Sequence, residues 1–409
     1  MTEVLPYIDS VPGFQVAGTA AGLRPDGKAD FALIYSESDC VCAGVFTRNV
    51  MKAAPVLHGM ARLEQSNEGI RAIAINTRSA NACTGRRGLG DAEQTAAWVA
   101  DALPVTADAV LVMSTGVIGL PLPMEGIRKG IEATHKQLGQ DWEMAARAIM
   151  TTDTWPKLAS VQVTTAGGAR YTLAGISKGS GMIAPDMATM LAVIVTDAAL
   201  TAAQTIRSLE RANELSFNRI VVDGDMSTND TAYLLANGHS GVALESATDL
   251  EQFQTALDAL TRKLAQDIVR DGEGATKFVT IQVRGSQNAA EAKRAANSIA
   301  RSPLFKTALF GEDANWGRAV AAAGYSGAEL QPERTQLFVA AGETLPKEPL
   351  HLFENGMPTD YAEADAAAIM AADSLVFLLD CGCGGPGEAT VWTCDFSHDY
   401  VSINGDYRS

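Results

Sequence analysis

Between residues 249 and 270 the apolar side chains Leu250, Phe253, Leu257, Leu260, Leu264 and Ile268 recur at three- and four-residue spacing, which commits the segment to a long helix with one face in a core. The same periodicity, less complete, marks helices over 91–103, 125–138, 141–151, 200–216, 288–301 and 360–372. Between them lie short apolar, β-branched runs at 31–35, 72–75, 109–113, 161–164, 190–196, 278–283 and 374–379, which read as strands. The two kinds of element are mixed without strict β-α-β alternation. That order predicts an α+β layered sandwich rather than a doubly wound parallel sheet, and a composition shift at 280–305 predicts a smaller C-terminal α+β domain from residue 285.

A chain of 409 residues has room for two or three domains, and 47% hydrophobic residues supply their cores. Its net charge of -16 opposes binding to nucleic acid or an anionic membrane surface, so neither partner is expected. The longest strongly apolar stretch, Met190 to Val195, is too short to cross a bilayer, and the opening Met1-Thr2-Glu3-Val4-Leu5-Pro6 lacks the charged and apolar regions of a secretory signal. The expected location is the cytoplasm. Six cysteines at 40, 42, 83, 381, 383 and 394 are too few and too uneven for a disulfide framework. The pairs Cys40/Cys42 and Cys381/Cys383 have one intervening residue where structural zinc pairs have two to four, so no metal is expected.

Three familiar motifs fail on context. Gly175-Ile176-Ser177-Lys178-Gly179 has the spacing of a nucleophile elbow, but the Gly- and Pro-bearing residues after it will not form the required helix. Gly382-Cys383-Gly384-Gly385-Pro386-Gly387 follows a strand and precedes another, so no helix N-terminus is there to receive a dinucleotide phosphate. The acidic stretch from Asp223 to Asp230 lacks the glycine and glutamate of a calcium loop and reads as a polar turn. The histidines at 58, 135, 239, 351 and 398 are scattered away from any nucleophile motif, so a histidine-based triad has no support.

Chemistry concentrates instead in Lys178-Gly179-Ser180-Gly181-Met182-Ile183-Ala184-Pro185-Asp186-Met187-Ala188-Thr189-Met190-Leu191, a glycine-rich loop that runs straight into an apolar strand. Thr189 stands at the junction. A threonine held there can attack the carbonyl of its own preceding peptide bond, since the glycines and Pro185 can present the Ala188–Thr189 bond to its hydroxyl. Cleavage leaves a free α-amine, with an ordinary pKa of about 7.7–8.0, beside that hydroxyl, where it serves as the base that a histidine would otherwise supply. A β-branched residue in a favourable strand position is the competing explanation of Thr189.

The segment resembles the autoprocessing motif of the ornithine acetyltransferases, the bifunctional glutamate N-acetyltransferase/amino-acid acetyltransferases of arginine biosynthesis. The resemblance extends along the chain through Ser114-Thr115-Gly116-Val117-Ile118-Gly119, Thr151-Thr152-Asp153-Thr154-Trp155-Pro156-Lys157, Asp223-Gly224-Asp225 and Gly272-Glu273-Gly274-Ala275-Thr276-Lys277. It continues through Ser302-Pro303-Leu304, Asn315-Trp316-Gly317-Arg318 and the tail from Asp399 to Tyr407.

The resemblance implies the layered sandwich of these enzymes and of self-processing aminopeptidases. It implies cleavage between Ala188 and Thr189 into an α chain of 1–188 and a β chain of 189–409, with 189–284 completing the main sandwich and two α and two β chains assembling. Thr189 is then the nucleophile of a ping-pong transfer of acetyl from N-acetylornithine to glutamate, with Thr115 and Gly116 as oxyanion donors. Thr152, Lys178, Thr189, Glu273, Asn404 and Ser409 are the implied substrate contacts. No cofactor is implied; acetyl-coenzyme A is a candidate second donor, and the sequence carries no motif that decides it. Glu273 is suited to the δ-ammonium of ornithine but not to the carboxylate that glutamate presents at the same end.

Three positions depart from the usual family pattern: Asp186 stands where asparagine is common, Met226 where threonine is common, and Ser409 where the terminal residue is usually threonine. Two other readings compete: a self-processing aminopeptidase or amidase in which water takes the acyl group from Thr189, and an uncleaved binding protein in which the glycine loop is structural.

Overall fold

The structure is a computed structural model that describes residues 3–184 and 190–405. It forms two compact units. The first takes the chain as far as Met182, then the part ending at Asn218, then Asp225–Ile268; the second takes the short pieces around Ile183 and Arg219–Gly224 and everything from Val269.

The strands in chain order are β1 (Phe14–Thr19), β2 (Phe31–Phe46), β3 (Ile70–Asn76), β4 (Val110–Ser114), β5 (Lys157–Thr164), β6 (Arg170–Lys178), β7 (Leu191–Thr196), β8 (Ile220–Val221) and β9 (Thr231–Ala236). All but β8 build the sheet of the first unit, in the order β4-β3-β2-β9-β7-β6-β5 with β1 also on β2. β3 with β4 and β7 with β9 are parallel, and the remaining neighbours are antiparallel. A mixed sheet of this kind follows from the irregular alternation of helices and strands.

Strand alternation divides the apolar residues between the two faces. Phe31, Leu33, Tyr35, Ala72, Ala74, Val110 and Val112 cluster with Ala92, Ala96, Val99, Ile127 and Ile131, which belong to the helices Gly85–Ala102 and Met124–Gln137. Ala32, Ile34, Ile73, Ile75, Leu111 and Met113 cluster instead with Trp142, Ala145 and Ile149 at the helix Trp142–Ala148. Both faces are therefore covered, which is the expected α+β layered sandwich. The apolar stripe of the helix Ala247–Arg270 is fully buried from Phe253 to Ile268, and Phe253 lies 6.1 Å from the ring of Tyr171 on β6.

The second unit has its own sheet, in the order β13-β12-β11-β14-β10-β15-β8, with β10 (Phe278–Ser286), β11 (Gln336–Ala341), β12 (Leu350–Glu354), β13 (Met357–Pro358), β14 (Ser374–Asp380) and β15 (Gly387–Cys394). β10 pairs in parallel with β14 and antiparallel with β15. Ile281, Val283, Leu375, Phe377, Leu379 and Val391 pack with Ala292, Ala295, Ala296 and Ile299 of the helix Ala289–Arg301. Because β10 is an inner strand of this sheet, the unit opens at Val269, ahead of the boundary expected at 285. The glycine-rich turn after β14 leads into β15, as its context predicts, with no helix between them.

Candidate active site

The site in the first unit begins where β3 and β4 end side by side. The Asn76 carbonyl accepts the Thr115 N–H at 3.0 Å, and the Asn76 Oδ1 accepts the Ser114 hydroxyl at 2.6 Å. Asn229 spends both hydrogens of its amide on the same region, donating to the carbonyls of Ser114 (2.8 Å) and Ala80 (2.6 Å). Gly116 then turns the chain with φ +129°, so close to Arg78 that a Cβ would lie 2.3 Å from its carbonyl carbon. Only glycine fits that approach. Among the described residues no partner takes the Gly116 N–H.

Lys178, the last residue of β6, brings its ammonium to this turn. Its Nζ donates to the Thr115 Oγ1 at 3.3 Å, and both residues are buried. An accepted hydrogen bond from a cation polarises the hydroxyl and leaves its own proton to donate elsewhere. Thr115 is thereby prepared as a donor.

Beside Lys178 lies a buried ion pair. Lys157 Nζ and Asp153 Oδ1 are 2.6 Å apart with both side chains wholly shielded from solvent. Asp153 also accepts the Gly179 N–H at 2.8 Å and the Thr151 N–H at 3.0 Å, so its carboxylate fixes the loop on either side. Burial works against its charge, but Lys157, Lys178 and these hydrogen bonds outweigh burial and hold the carboxyl well below the usual carboxylate range. Thr152 shares a 2.6 Å hydrogen bond with the hydroxyl of Ser180.

The start of β7 is anchored separately. Leu191 is in parallel register with Thr231, so Met190 and Asp230 sit together at the head of adjacent strands. The Met190 N–H donates to Asp230 Oδ1 at 3.0 Å, and its carbonyl accepts the Thr231 N–H at 3.2 Å. Asp230 is fully buried, and burial pushes its carboxyl well above the usual range despite this bond and the charge of Lys178.

Two further expected contacts meet in the second unit. Asn404 Nδ2 donates to Glu273 Oε2 at 2.7 Å. Gly274, with φ +68°, makes this meeting possible, because a Cβ there would lie 2.6 Å from the Tyr400 nitrogen. The Ser397 hydroxyl adds a 2.6 Å bond to the Gly274 carbonyl, which docks the helix His398–Gly405. Of the expected site residues, Thr115, Gly116, Thr152 and Lys178 thus lie in the first unit, and Glu273 and Asn404 in the second. Ala188, Thr189 and Ser409 lie outside the described residues, as does Asp186. Met226 uses its carbonyl, which accepts from Asn49 Nδ2 at 3.2 Å, so this bond does not depend on its side chain.

Sequence reasoning gave no role to Asn76, Asp153, Lys157, Ser180, Asn229 or Asp230. Asp153 and Lys157 carried a signal in their i,i+4 spacing around Pro156; the others are polar residues whose importance comes from distant partners.

The ArgJ family model matches residues 15–409. The arginine biosynthesis bifunctional protein ArgJ of Geobacter sulfurreducens is 47% identical over 404 residues, covering 98% of this chain and 100% of its own length. The mitochondrial protein of that name from Podospora anserina is 46% identical, covering 100% of this chain and 91% of its own. A solved chain of the Mycobacterium tuberculosis ornithine acetyltransferase, complexed with ornithine, is 38% identical with a TM-score of 0.42, over 45% of this chain and 98% of that one. On the strength of a match that runs almost from end to end, the chain belongs to the ArgJ family of arginine biosynthesis enzymes.

Proposed function

We propose that the protein is a self-processing acetyltransferase that moves the acetyl group of N-acetylornithine to glutamate through an acetyl ester of Thr189. In maturation the Thr189 hydroxyl attacks the Ala188 carbonyl, the amide becomes an ester, and water hydrolyses it to an α chain of 1–188 and a β chain of 189–409. The freed α-amine of Thr189 then acts as base. In turnover the hydroxyl attacks the acetyl carbonyl of the donor, its proton passes through the α-amine to the departing amine of ornithine, and the amine of glutamate attacks the ester and restores the hydroxyl. Each tetrahedral intermediate carries an oxyanion that needs two fixed donors.

The observation that carries this reading is the Lys178–Thr115–Gly116 arrangement: a hydroxyl polarised by a buried ammonium at 3.3 Å, followed by a backbone N–H with no partner among the described residues. Thr152 and Lys178 are assigned to the substrate carboxylate, and Glu273 with Asn404 to the ornithine side chain; Ser409 is retained as a contact on the resemblance alone. Assembly as two α and two β chains, a cytoplasmic location and use of acetyl-coenzyme A as a further donor belong to the same proposal. Incubation with N-acetylornithine and glutamate tests it. Formation of N-acetylglutamate matched by ornithine release supports the transferase, whereas release of ornithine and free acetate, indifferent to glutamate, identifies a hydrolase.

A further inference from the structure

The pair Asn229-Asp230 grips two separate parts of the site at once. Asn229 holds the carbonyl of Ser114, one residue before the Thr115–Gly116 turn, and Asp230 holds the N–H of Met190, one residue after Thr189. That N–H belongs to the amide whose carbonyl is Thr189's own. We infer that Asp230 is the positioning residue for the Thr189–Met190 amide, setting the nucleophile's backbone in register with the turn that Asn229 fixes.

The chemistry of the carboxyl group supports the assignment. Asp230 Oδ2 is buried and has no hydrogen-bond partner among the described residues. Two hydroxyls face the same carboxyl: that of Thr47, which donates to the Ser227 carbonyl at 2.7 Å, and that of Ser227, whose Oγ accepts the Asn229 N–H at 3.0 Å and keeps its own proton to donate. Burial raises its pKa and so favours the neutral carboxyl, and Oδ1 accepts the Met190 N–H in either form. An asparagine has the same shape and keeps an oxygen to accept the Met190 N–H; an alanine has neither.

The inference rests on Thr189 being the nucleophile, and the test separates the two. Precursor made by cell-free synthesis is followed by mass for cleavage as wild type, Asp230→Ala, Asp230→Asn and Thr189→Ala, and melting temperature and steady-state kinetics are then measured on purified protein. Loss of the anchoring bond in Asp230→Ala is expected to slow cleavage, and kcat for acetyl transfer, by about tenfold or more with KM for acetylornithine little changed. Asp230→Asn is expected to restore both. Wild-type rates in Asp230→Ala overturn the inference, and so does an Asp230→Asn precursor that fails to cleave, whether or not the alanine variant folds. An uncut wild-type chain, or a cut Thr189→Ala chain, instead overturns the reading of Thr189.

Discussion

Lys178 reaches from the end of β6 to the Thr115 hydroxyl at the end of β4, and the two buried groups meet at 3.3 Å although 63 residues separate them in sequence. The bond gives Thr115 a fixed direction. If its hydroxyl stabilises the oxyanion, Thr115→Val lowers kcat by about a hundredfold while KM for acetylornithine changes little. Steady-state kinetics on the processed enzyme check this, and a kcat within a factor of two or so of wild type removes Thr115 from the oxyanion role.

Gly116 admits a stricter test, because its φ of +129° and the 2.3 Å approach to Arg78 leave no room for a methyl group. Gly116→Ala is expected to displace the turn, costing about 1–3 kcal/mol of stability and abolishing turnover. A melting curve and activity assay report the two effects together. A variant of unchanged stability and rate shows that the turn can move without loss.

The Asp153–Lys157 pair should be felt in stability rather than binding. Asp153→Asn leaves the ammonium of Lys157 buried without its counter-charge, at a cost of about 3–5 kcal/mol near neutral pH. The folded state keeps Asp153 ionised to lower pH than the unfolded chain does, so its contribution is complete above about pH 4 and is lost as acid protonates the folded carboxylate. Urea unfolding of both proteins at pH 7 and in the acid range should show the gap narrowing as pH falls below about 4. A gap equal at both ends refutes the electrostatic account.

Glu273 is paired with Asn404 through one oxygen, and its Oε1 has no partner among the described residues. If it meets the δ-ammonium of ornithine, Glu273→Gln raises KM for acetylornithine by about tenfold or more, the loss of a charge-assisted hydrogen bond. An unchanged KM removes that pairing.

The large elements were legible because they are local. The helix Ala247–Arg270 and the inner strands announce themselves through spacing that no distant partner can disguise. β2 was legible only as far as Tyr35: Ser36, Glu37, Ser38 and Asp39 interrupt its apolar pattern, yet the strand continues to Phe46 because its second half changes neighbour from β3 to β9. The helix Ala54–Gln65, with its internal Gly59 and weak periodicity, was missed, and so was the Ala-rich helix Trp316–Gly324. Thr115, Gly116, Lys178 and Glu273 came from motif resemblance, which preserves residue type and order. Asn229 and Asp230 did not, because an acidic stretch full of turn formers looks solvated, and only the parallel register of β7 with β9 reveals that its last residue is buried against Met190.

The central claim is that the chain cuts itself at Ala188–Thr189 and then uses Thr189 as nucleophile. Intact mass under denaturing conditions on freshly made protein, with N-terminal sequencing and a Thr189→Ala control, tests it most directly. The account predicts two chains, 1–188 and 189–409, the second beginning Thr-Met-Leu-Ala, and a control that stays whole. A single unbroken chain from both proteins would contradict it.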